Sequence, residues 1–149
     1  INYKKVIFVC TGNTCRSPMA EAMYKYLDQE EKVQAISRGL VVLFSEPINP
    51  KAEIILNKNN LELPNHIAKG LKEQDIEEDT LILTMTANHK ENILREYPYA
   101  TVETIKGFVG EEGDVTDPYG GSLLEYEECY AELARLVKKT MYKLHDANA

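Results

Sequence analysis

The sequence lacks tryptophan, contains only three cysteines and has no apolar run approaching the ~20 residues that a transmembrane helix needs. Three cysteines do not make the disulfide framework of a small secreted protein, and the apolar run at residues 6–9 is too short for a signal peptide. Basic residues are also scarce, with 17 Lys and Arg against 24 Asp and Glu and a formal net charge of −7. These absences argue against a general nucleic-acid binder or a membrane protein, and they predict a cytoplasmic location.

What is present is an ordinary globular composition, 44% hydrophobic and 28% charged over 149 residues. That length suits one domain with a full core, so we predict a single domain over residues 1–149. Strand-like runs alternate with helical patterns, which predicts an α/β fold of three layers. A parallel sheet of about four strands, opened by a βαβ unit, would lie between helices. The predicted strands are residues 3–10, 33–38, 80–85 and 101–105, and the predicted helices are residues 16–29, 50–60, 87–96 and the segment from 122 onward.

The first predicted strand ends abruptly at Cys10, where residues 10–18 read CTGNTCRSP. Five residues separate Cys10 from Arg16, near which a helix begins. At such a junction, free backbone N–H groups and the positive end of the helix dipole point at one spot. An oxyanion bound there would lie against the Cys10 sulfur, with the Arg16 guanidinium around it. The helix end and Arg16 would also favour the thiolate form of Cys10, and this geometry predicts thiolate attack on phosphorus.

The other residues of this loop suit phosphate binding. Gly12 allows close approach of the backbone, and Asn13 tolerates a left-handed conformation, so both suit a nest of inward-facing N–H groups. Ser17 can donate a hydrogen bond to the thiolate and improve it as a leaving group. A cysteine that closes a buried strand is otherwise most often a small core residue, which is the alternative interpretation. The predicted substrate-binding residues of the loop are Thr11, Gly12, Asn13, Thr14, Cys15 and Ser17.

A second segment, GDVTDPYGG at residues 113–121, precedes the longest predicted helix. If the first strand is central in the sheet, this segment should close over the same edge. Asp117 would then protonate the leaving group and later act as the base for the hydrolytic water. Tyr119 would form an aromatic wall of the substrate pocket. Taken alone, however, Asp-Pro-Tyr-Gly is also a good turn sequence.

Residues 10–18 and 117–120 together resemble the low-molecular-weight protein tyrosine phosphatases, and the resemblance covers essentially the whole length. It implies that Cys10 is a nucleophile that forms a cysteinyl-phosphate and that Arg16 clamps the phosphate. It also implies that Ser17 is the partner of the thiolate and Asp117 the general acid. Phosphorylated proteins would be the substrates, and no cofactor is implied.

The resemblance also implies support for the loop from more distant residues. Asn13 would be held by hydrogen bonds from Ser37 and His66. One departure is Thr86, which follows Met85 where many members carry an aspartate. A monomer or a weak homodimer is expected.

Thr14 bears on the substrate. Tyrosine-directed members usually carry a bulky aliphatic residue at this position, and the version with Thr14 resembles the bacterial protein-arginine-phosphatase branch. A small polar wall leaves room beside the phosphoryl group, and Asp117 can pair with the guanidinium of a phosphoarginine. Phosphotyrosine is the alternative substrate, although only Tyr119 follows the Asp-Pro pair where many tyrosine-directed members have two tyrosines.

The more distant functional alternatives fit this sequence less well. An arsenate reductase of this fold needs two further cysteines in mid-chain, and none lies between Cys15 and Cys129. A phosphocarrier or a phosphoprotein-binding module would not need Arg16 and Asp117 together. Cys10 and Cys15 are not spaced for zinc, so no metal site is predicted. Cys15 instead predicts redox sensitivity, through a reversible Cys10–Cys15 disulfide formed after peroxide treatment.

Overall fold

The computed structural model describes residues 2–147, and within them four strands alternate with helices. The order of elements agrees with the sequence prediction. The strands are β1 (Lys5–Cys10), β2 (Gln34–Gly39), β3 (Thr80–Thr84) and β4 (Thr101–Thr104), and the helices are α1 (Arg16–Leu27), α2 (Pro50–Lys58), α3 (Ala87–Glu96), α4 (Ile105–Phe108) and α5 (Leu123–Ala147), with a 3-10 turn at Glu73–Asp75.

The four strands form one parallel sheet in the order β2-β1-β3-β4. Central position explains the composition of β1, because all six of its residues are buried and both of its faces are covered. The chain moves from β1 to β2 in one direction and later returns to β3 on the other side. The strand order therefore reverses beside β1, and its carboxyl end at Cys10 lies where such sheets bind ligands.

Helices cover both faces of the sheet. Alternate β1 residues Val6 and Phe8 pack in the larger core with residues of α1, α2, α4 and α5. Ile7 and Val9 point to the other face, where they pack with Ile93 of α3. The three-layer α/β fold with a four-stranded parallel sheet is thus confirmed. Within residues 2–147, no helix combines the length and apolar character needed to cross a bilayer.

Side-chain caps mark the beginnings of several helices. At the start of α2, Asn49 precedes Pro50 and its side chain accepts a hydrogen bond from the N–H of Lys51. At the start of α3, the Thr86 hydroxyl accepts one from the N–H of His89. Ser122 and Glu125 form a capping box at the start of α5. The prediction is wrong at residues 28–29, which were expected in the first helix but lie beyond the end of α1. It is also wrong at residue 105, which was expected in a strand but begins α4.

Each difference has a side-chain cause. Asp28 ends α1 because its buried carboxylate accepts from the N–H groups of Lys32 and Val33, which turns the chain into β2. Thr104 ends β4 because its hydroxyl caps the short helix that follows, accepting from the N–H of Gly107 at 2.9 Å. Both residues use short polar side chains to replace regular backbone hydrogen bonds.

Candidate active site

The thiol of Cys10 lies at the end of β1, and its sulfur is 2.9 Å from the hydroxyl oxygen of Ser17. Ser17 is buried in the first turn of α1, and its oxygen accepts a hydrogen bond of 2.8 Å from the Asn13 amide. The hydroxyl hydrogen has two acceptors within reach, the Cys10 sulfur at 2.9 Å and the Arg38 carbonyl oxygen at 3.4 Å, and the shorter contact is to the sulfur. Asn13 adopts the left-handed conformation expected of it, with φ of 58°.

Two residues from outside the loop hold Asn13 in this position. The backbone N–H of Lys69 donates to the Asn13 side-chain oxygen at 3.0 Å, and His66 Nε2 donates to its carbonyl oxygen at 2.8 Å. The expected contact from His66 is therefore present. Lys69 was not anticipated, since a backbone donor leaves no sequence signal.

The expected hydrogen bond from Ser37 to Asn13 is wrong. Ser37 instead donates to the carboxylate of Glu21 on α1, at 2.6 Å. Glu21 is only 8% exposed, and because a buried carboxylate without donors is costly, it accepts from this hydroxyl on β2 as well as from Lys25 one turn along α1. Ser37 thus joins β2 to α1 and does not support the loop.

Arg16 is 3% exposed and is held from the loop that precedes α5. Its Nη1 donates to the carbonyl oxygen of Val115 at 2.8 Å, and its Nη2 lies 3.6 Å from Oδ2 of Asp117. Arg16 Nε is buried and has no hydrogen-bond partner among residues 2–147. The guanidinium is thereby oriented by two contacts and keeps a further donor for an anion.

Asp117 satisfies both interpretations of its segment. Its Oδ1 accepts from the N–H of Tyr119 at 3.0 Å, which is the side-chain turn that the sequence favours. Its Oδ2 faces Arg16, and its side chain is about half exposed, at 48%. The turn therefore delivers the carboxylate to the loop that follows β1.

These residues surround one cleft of about 280 Å³. Cavities of about 420 and 470 Å³ elsewhere contain no cysteine or arginine among their lining residues, so size does not identify the site here. Asn13 and Ser17 lie behind the cleft, as the buried supports of the loop. The residues that line the cleft are Cys10, Thr11, Gly12, Thr14, Cys15, Arg16, Glu46, Asp117 and Tyr119.

Glu46 is the lining residue that sequence reasoning missed, because it lies in an exposed segment without a motif. Its position is nevertheless fixed by the backbone. The carbonyl of Glu46 accepts from the N–H of Ala68 at 2.8 Å, and Pro47 pairs with Ile67 in an antiparallel bridge. Three residues further on, the N–H of Asn49 donates to the Thr14 carbonyl at 2.9 Å, so the segment is tied to the loop after β1.

His89 is a second residue that was missed. Its Nε2 lies 2.9 Å from the hydroxyl of Thr11, and the side chain is buried at the start of α3. Burial, together with the nearby Arg16 guanidinium, lowers the pKa of His89 to about 4. The ring is therefore neutral at neutral pH. A sequence signal existed only as a histidine three residues after the helix cap Thr86.

The other two cysteines are buried free thiols. Burial raises the pKa of Cys15, although its sulfur lies 3.4 Å from the Tyr126 hydroxyl, a contact that opposes the rise. Burial also raises the pKa of Cys129 to about 12. Both are neutral thiols at neutral pH. Across residues 2–147, no cluster of three or more His, Cys, Asp or Glu side chains is arranged to hold a metal ion.

Comparison with known proteins agrees with this geometry. A family model described as low molecular weight phosphotyrosine protein phosphatase matches residues 5–149. The protein-arginine-phosphatase of Bacillus subtilis is 38% identical over 144 residues, which cover 93% of this chain and 95% of that protein. The low molecular weight protein-tyrosine-phosphatase PtpB of Staphylococcus haemolyticus is 37% identical over 136 residues, covering 91% and 96%.

A solved structure gives the same result. The low molecular weight protein tyrosine phosphatase from T. tengcongensis superimposes with a TM-score of 0.90 at 41% identity, covering 94% of this chain and 99% of that one. The resemblance noted from residues 10–18 and 117–120 is thereby confirmed over the whole fold. The chain belongs to the low molecular weight phosphotyrosine protein phosphatase family, and it is a protein phosphatase.

Proposed function

We propose that this chain, acting as a single domain, hydrolyses phosphoarginine in proteins by way of a cysteinyl-phosphate on Cys10. One observation carries the chemistry: a thiol, a buried guanidinium and a carboxylate meet in one cleft, from segments far apart in the chain. The nucleophile has a hydroxyl partner at 2.9 Å, and the carboxylate lies 3.6 Å from the guanidinium.

In the first step, the Cys10 thiolate attacks phosphorus and the bond from phosphorus to the leaving group breaks. The backbone N–H groups of the loop and the Arg16 guanidinium stabilise the charge that develops on the phosphoryl oxygens. Asp117 gives its proton to the departing nitrogen of the guanidino group, or to the oxygen of a phenol. The products are the cysteinyl-phosphate on Cys10 and the protonated leaving group, which is a guanidinium from phosphoarginine or a neutral phenol from phosphotyrosine.

In the second step, water attacks the phosphorus of the cysteinyl-phosphate. Asp117, now a carboxylate, takes a proton from this water, and the S–P bond breaks to release inorganic phosphate. Ser17 donates its hydroxyl hydrogen to the sulfur as the thiolate returns, which makes Cys10 a better leaving group. The contacts of Ser17 support this role, since its oxygen accepts from Asn13 and lies 2.9 Å from the Cys10 sulfur, closer than its 3.4 Å to the Arg38 carbonyl oxygen.

The charges of the cleft favour phosphoarginine. Glu46 and Asp117 both line it; Arg16 lies 3.6 Å from Asp117, and no lysine among the lining residues offsets Glu46. The Glu46 side chain makes no hydrogen bond or ion pair within the described part of the chain and is free to meet a cation. Thr14 leaves a small polar wall, where a phenyl ring would prefer apolar contacts. A substrate guanidinium would pair with the Glu46 carboxylate and donate to a carboxyl oxygen of Asp117, an acceptor that the protonated acid keeps.

Phosphotyrosine is the second candidate, and one observation favours it. The ring of Tyr119 is 73% exposed at the cleft, where it could stack on a phenol ring. The names of the relatives divide in the same way between protein-arginine-phosphatase and protein-tyrosine-phosphatase.

The test is hydrolysis of matched phosphoarginine and phosphotyrosine peptides by the wild type, Cys10→Ser and Thr14→Ile. We expect faster cleavage of phosphoarginine by the wild type and none by Cys10→Ser. Thr14→Ile should lower phosphoarginine cleavage about tenfold and raise phosphotyrosine cleavage, because it fills the space beside the phosphoryl group. If the wild type prefers the phosphotyrosine peptide and Thr14→Ile does not change this preference, the chain is a phosphotyrosine phosphatase, the second candidate. Cleavage of neither peptide would refute the catalytic proposal.

A further inference from the structure

Thr11 follows the nucleophile directly, and its two ends are fixed to different elements. Its carbonyl oxygen accepts from the N–H groups of Leu40 and Val41, both at 2.9 Å, in the segment after β2. Its hydroxyl lies 2.9 Å from Nε2 of His89 on α3. Thr11 is exposed to solvent and lines the cleft, whereas His89 is only 6% exposed. The buried imidazole thus lies behind a residue that lines the cleft.

Two hydrogen bonds fix the first turn of α3, which contains His89. The Thr86 hydroxyl accepts from the His89 N–H at 3.1 Å, and the carboxylate of Asp114 accepts from the N–H of Ala87 at 2.9 Å. Asp114 lies three residues before Asp117, so this turn contacts both the nucleophile loop and the loop of the general acid. Displacement of His89 would therefore disturb the start of the phosphate-binding loop.

The tautomer of His89 follows from what surrounds it. The charged groups facing the ring are Arg16, Asp114 and Asp117, and burial with Arg16 keeps the ring neutral, with its pKa lowered to about 4. A neutral ring carries one N–H. Nδ1 is buried and has no hydrogen-bond partner among residues 2–147. Since buried unpaired N–H groups are rarer than unpaired acceptors, the hydrogen is assigned to Nε2, which then donates to Thr11.

We propose that His89 is a positioning residue: by donating from Nε2 to the Thr11 hydroxyl, it turns that hydroxyl into a hydrogen-bond donor for a phosphoryl oxygen. The hydroxyl oxygen of Thr11 accepts from the Nε2–H group of His89, and the hydrogen of the same hydroxyl is then available to an acceptor in the cleft. This inference rests on the proposed function, because it assigns a further donor to the same phosphate site. A donor to a charged phosphoryl oxygen stabilises more than a neutral hydrogen bond does.

The experiment measures the Kd of inorganic phosphate by calorimetry for the wild type, Thr11→Val, His89→Leu and the double variant. We expect each single change to weaken phosphate binding about tenfold, as loss of one hydrogen bond to a charged group predicts. The double variant should also lose about tenfold rather than a hundredfold, because the two residues act through one hydroxyl. His89→Gln, whose amide can donate from the position of Nε2, should bind within about twofold of the wild type.

A merely structural histidine gives a different pattern. If His89→Gln were as weak as His89→Leu, or if the two single effects multiplied in the double variant, the inference would be wrong. His145→Leu is the matched control, since His145 lies far along α5 beside Asp28, and it should leave the Kd unchanged. Hydrolysis of p-nitrophenyl phosphate is followed in parallel. If the wild type hydrolyses this substrate but the His89 substitutions leave the Kd of phosphate unchanged, this inference alone is refuted. If the wild type does not hydrolyse it, the proposed function is refuted.

Discussion

The buried imidazole of His89 predicts that the protein loses stability in mild acid. Burial, then Arg16, lowers the pKa of His89 from 6.5 to about 4 in the folded chain, and the carboxylates of Asp114 and Asp117 oppose this only in part. Because the folded-state pKa is depressed, the contribution to stability is fully present above the unfolded value. It is lost progressively as the pH falls from 6.5 towards 4. Between pH ~7 and pH ~5, linkage gives a loss of about 2 kcal/mol from this residue alone.

Urea unfolding at both pH values measures this loss. Circular dichroism is the appropriate signal, because the chain has no tryptophan. The wild type is compared with His89→Gln, which keeps a polar side chain at the site but cannot titrate in this range. Carboxylates that titrate in both proteins cancel in the comparison. The free energy of unfolding of the wild type should therefore fall by about 2 kcal/mol more than that of the variant.

An equal fall in the two proteins would refute this reasoning. It would mean that the pKa of His89 is the same in the folded and the unfolded chain, as for a hydrated ring. A larger fall in His89→Gln would have the wrong sign and would refute it equally.

Three further predictions concern the cleft. Gly39→Ala should destabilise the fold by about 1–3 kcal/mol in urea unfolding and lower p-nitrophenyl phosphate hydrolysis, because a Cβ would lie 2.8 Å from the Thr11 carbonyl oxygen; wild-type values would contradict it. Glu46→Gln should raise the KM for a phosphoarginine peptide about two- to fivefold and leave a phosphotyrosine peptide unchanged; equal effects on both would oppose a role in guanidinium recognition. Cys15→Ser should abolish recovery by thiol after peroxide, since no Cys10–Cys15 disulfide can form; recovery like that of the wild type would count against this disulfide.

The fold and the centre of the site could be predicted because their signals are local. The apolar run of β1, its sudden end at Cys10 and the spacing to Arg16 lie within a few residues of each other, and capping residues marked several helix ends. The parallel alternation of strands and helices then placed the loop of Asp117 at the same edge of the sheet.

The supports of the site could not be predicted, because they depend on contacts between distant segments. Ser37 had two possible partners, and the choice of Glu21 depended on the burial of that carboxylate against β2. His89 looks like any other residue of an amphipathic helix until α3 packs behind Thr11. Glu46 reaches the cleft through a bridge between Pro47 and Ile67, a pairing with no periodic pattern on either side.

The attachment of Val115 limits how far the general acid can travel. Its N–H donates to the carbonyl of Met85, which directly follows β3, and its carbonyl accepts from Arg16 at the start of α1, so both backbone groups of this residue are held. Asp117 follows two residues later, a tether of at most ~7 Å when fully extended. Asp117 can therefore move only a short distance and cannot close over the cleft as a mobile loop would. A bound phosphoprotein would instead cover the open side of the cleft and exclude bulk water from the reaction.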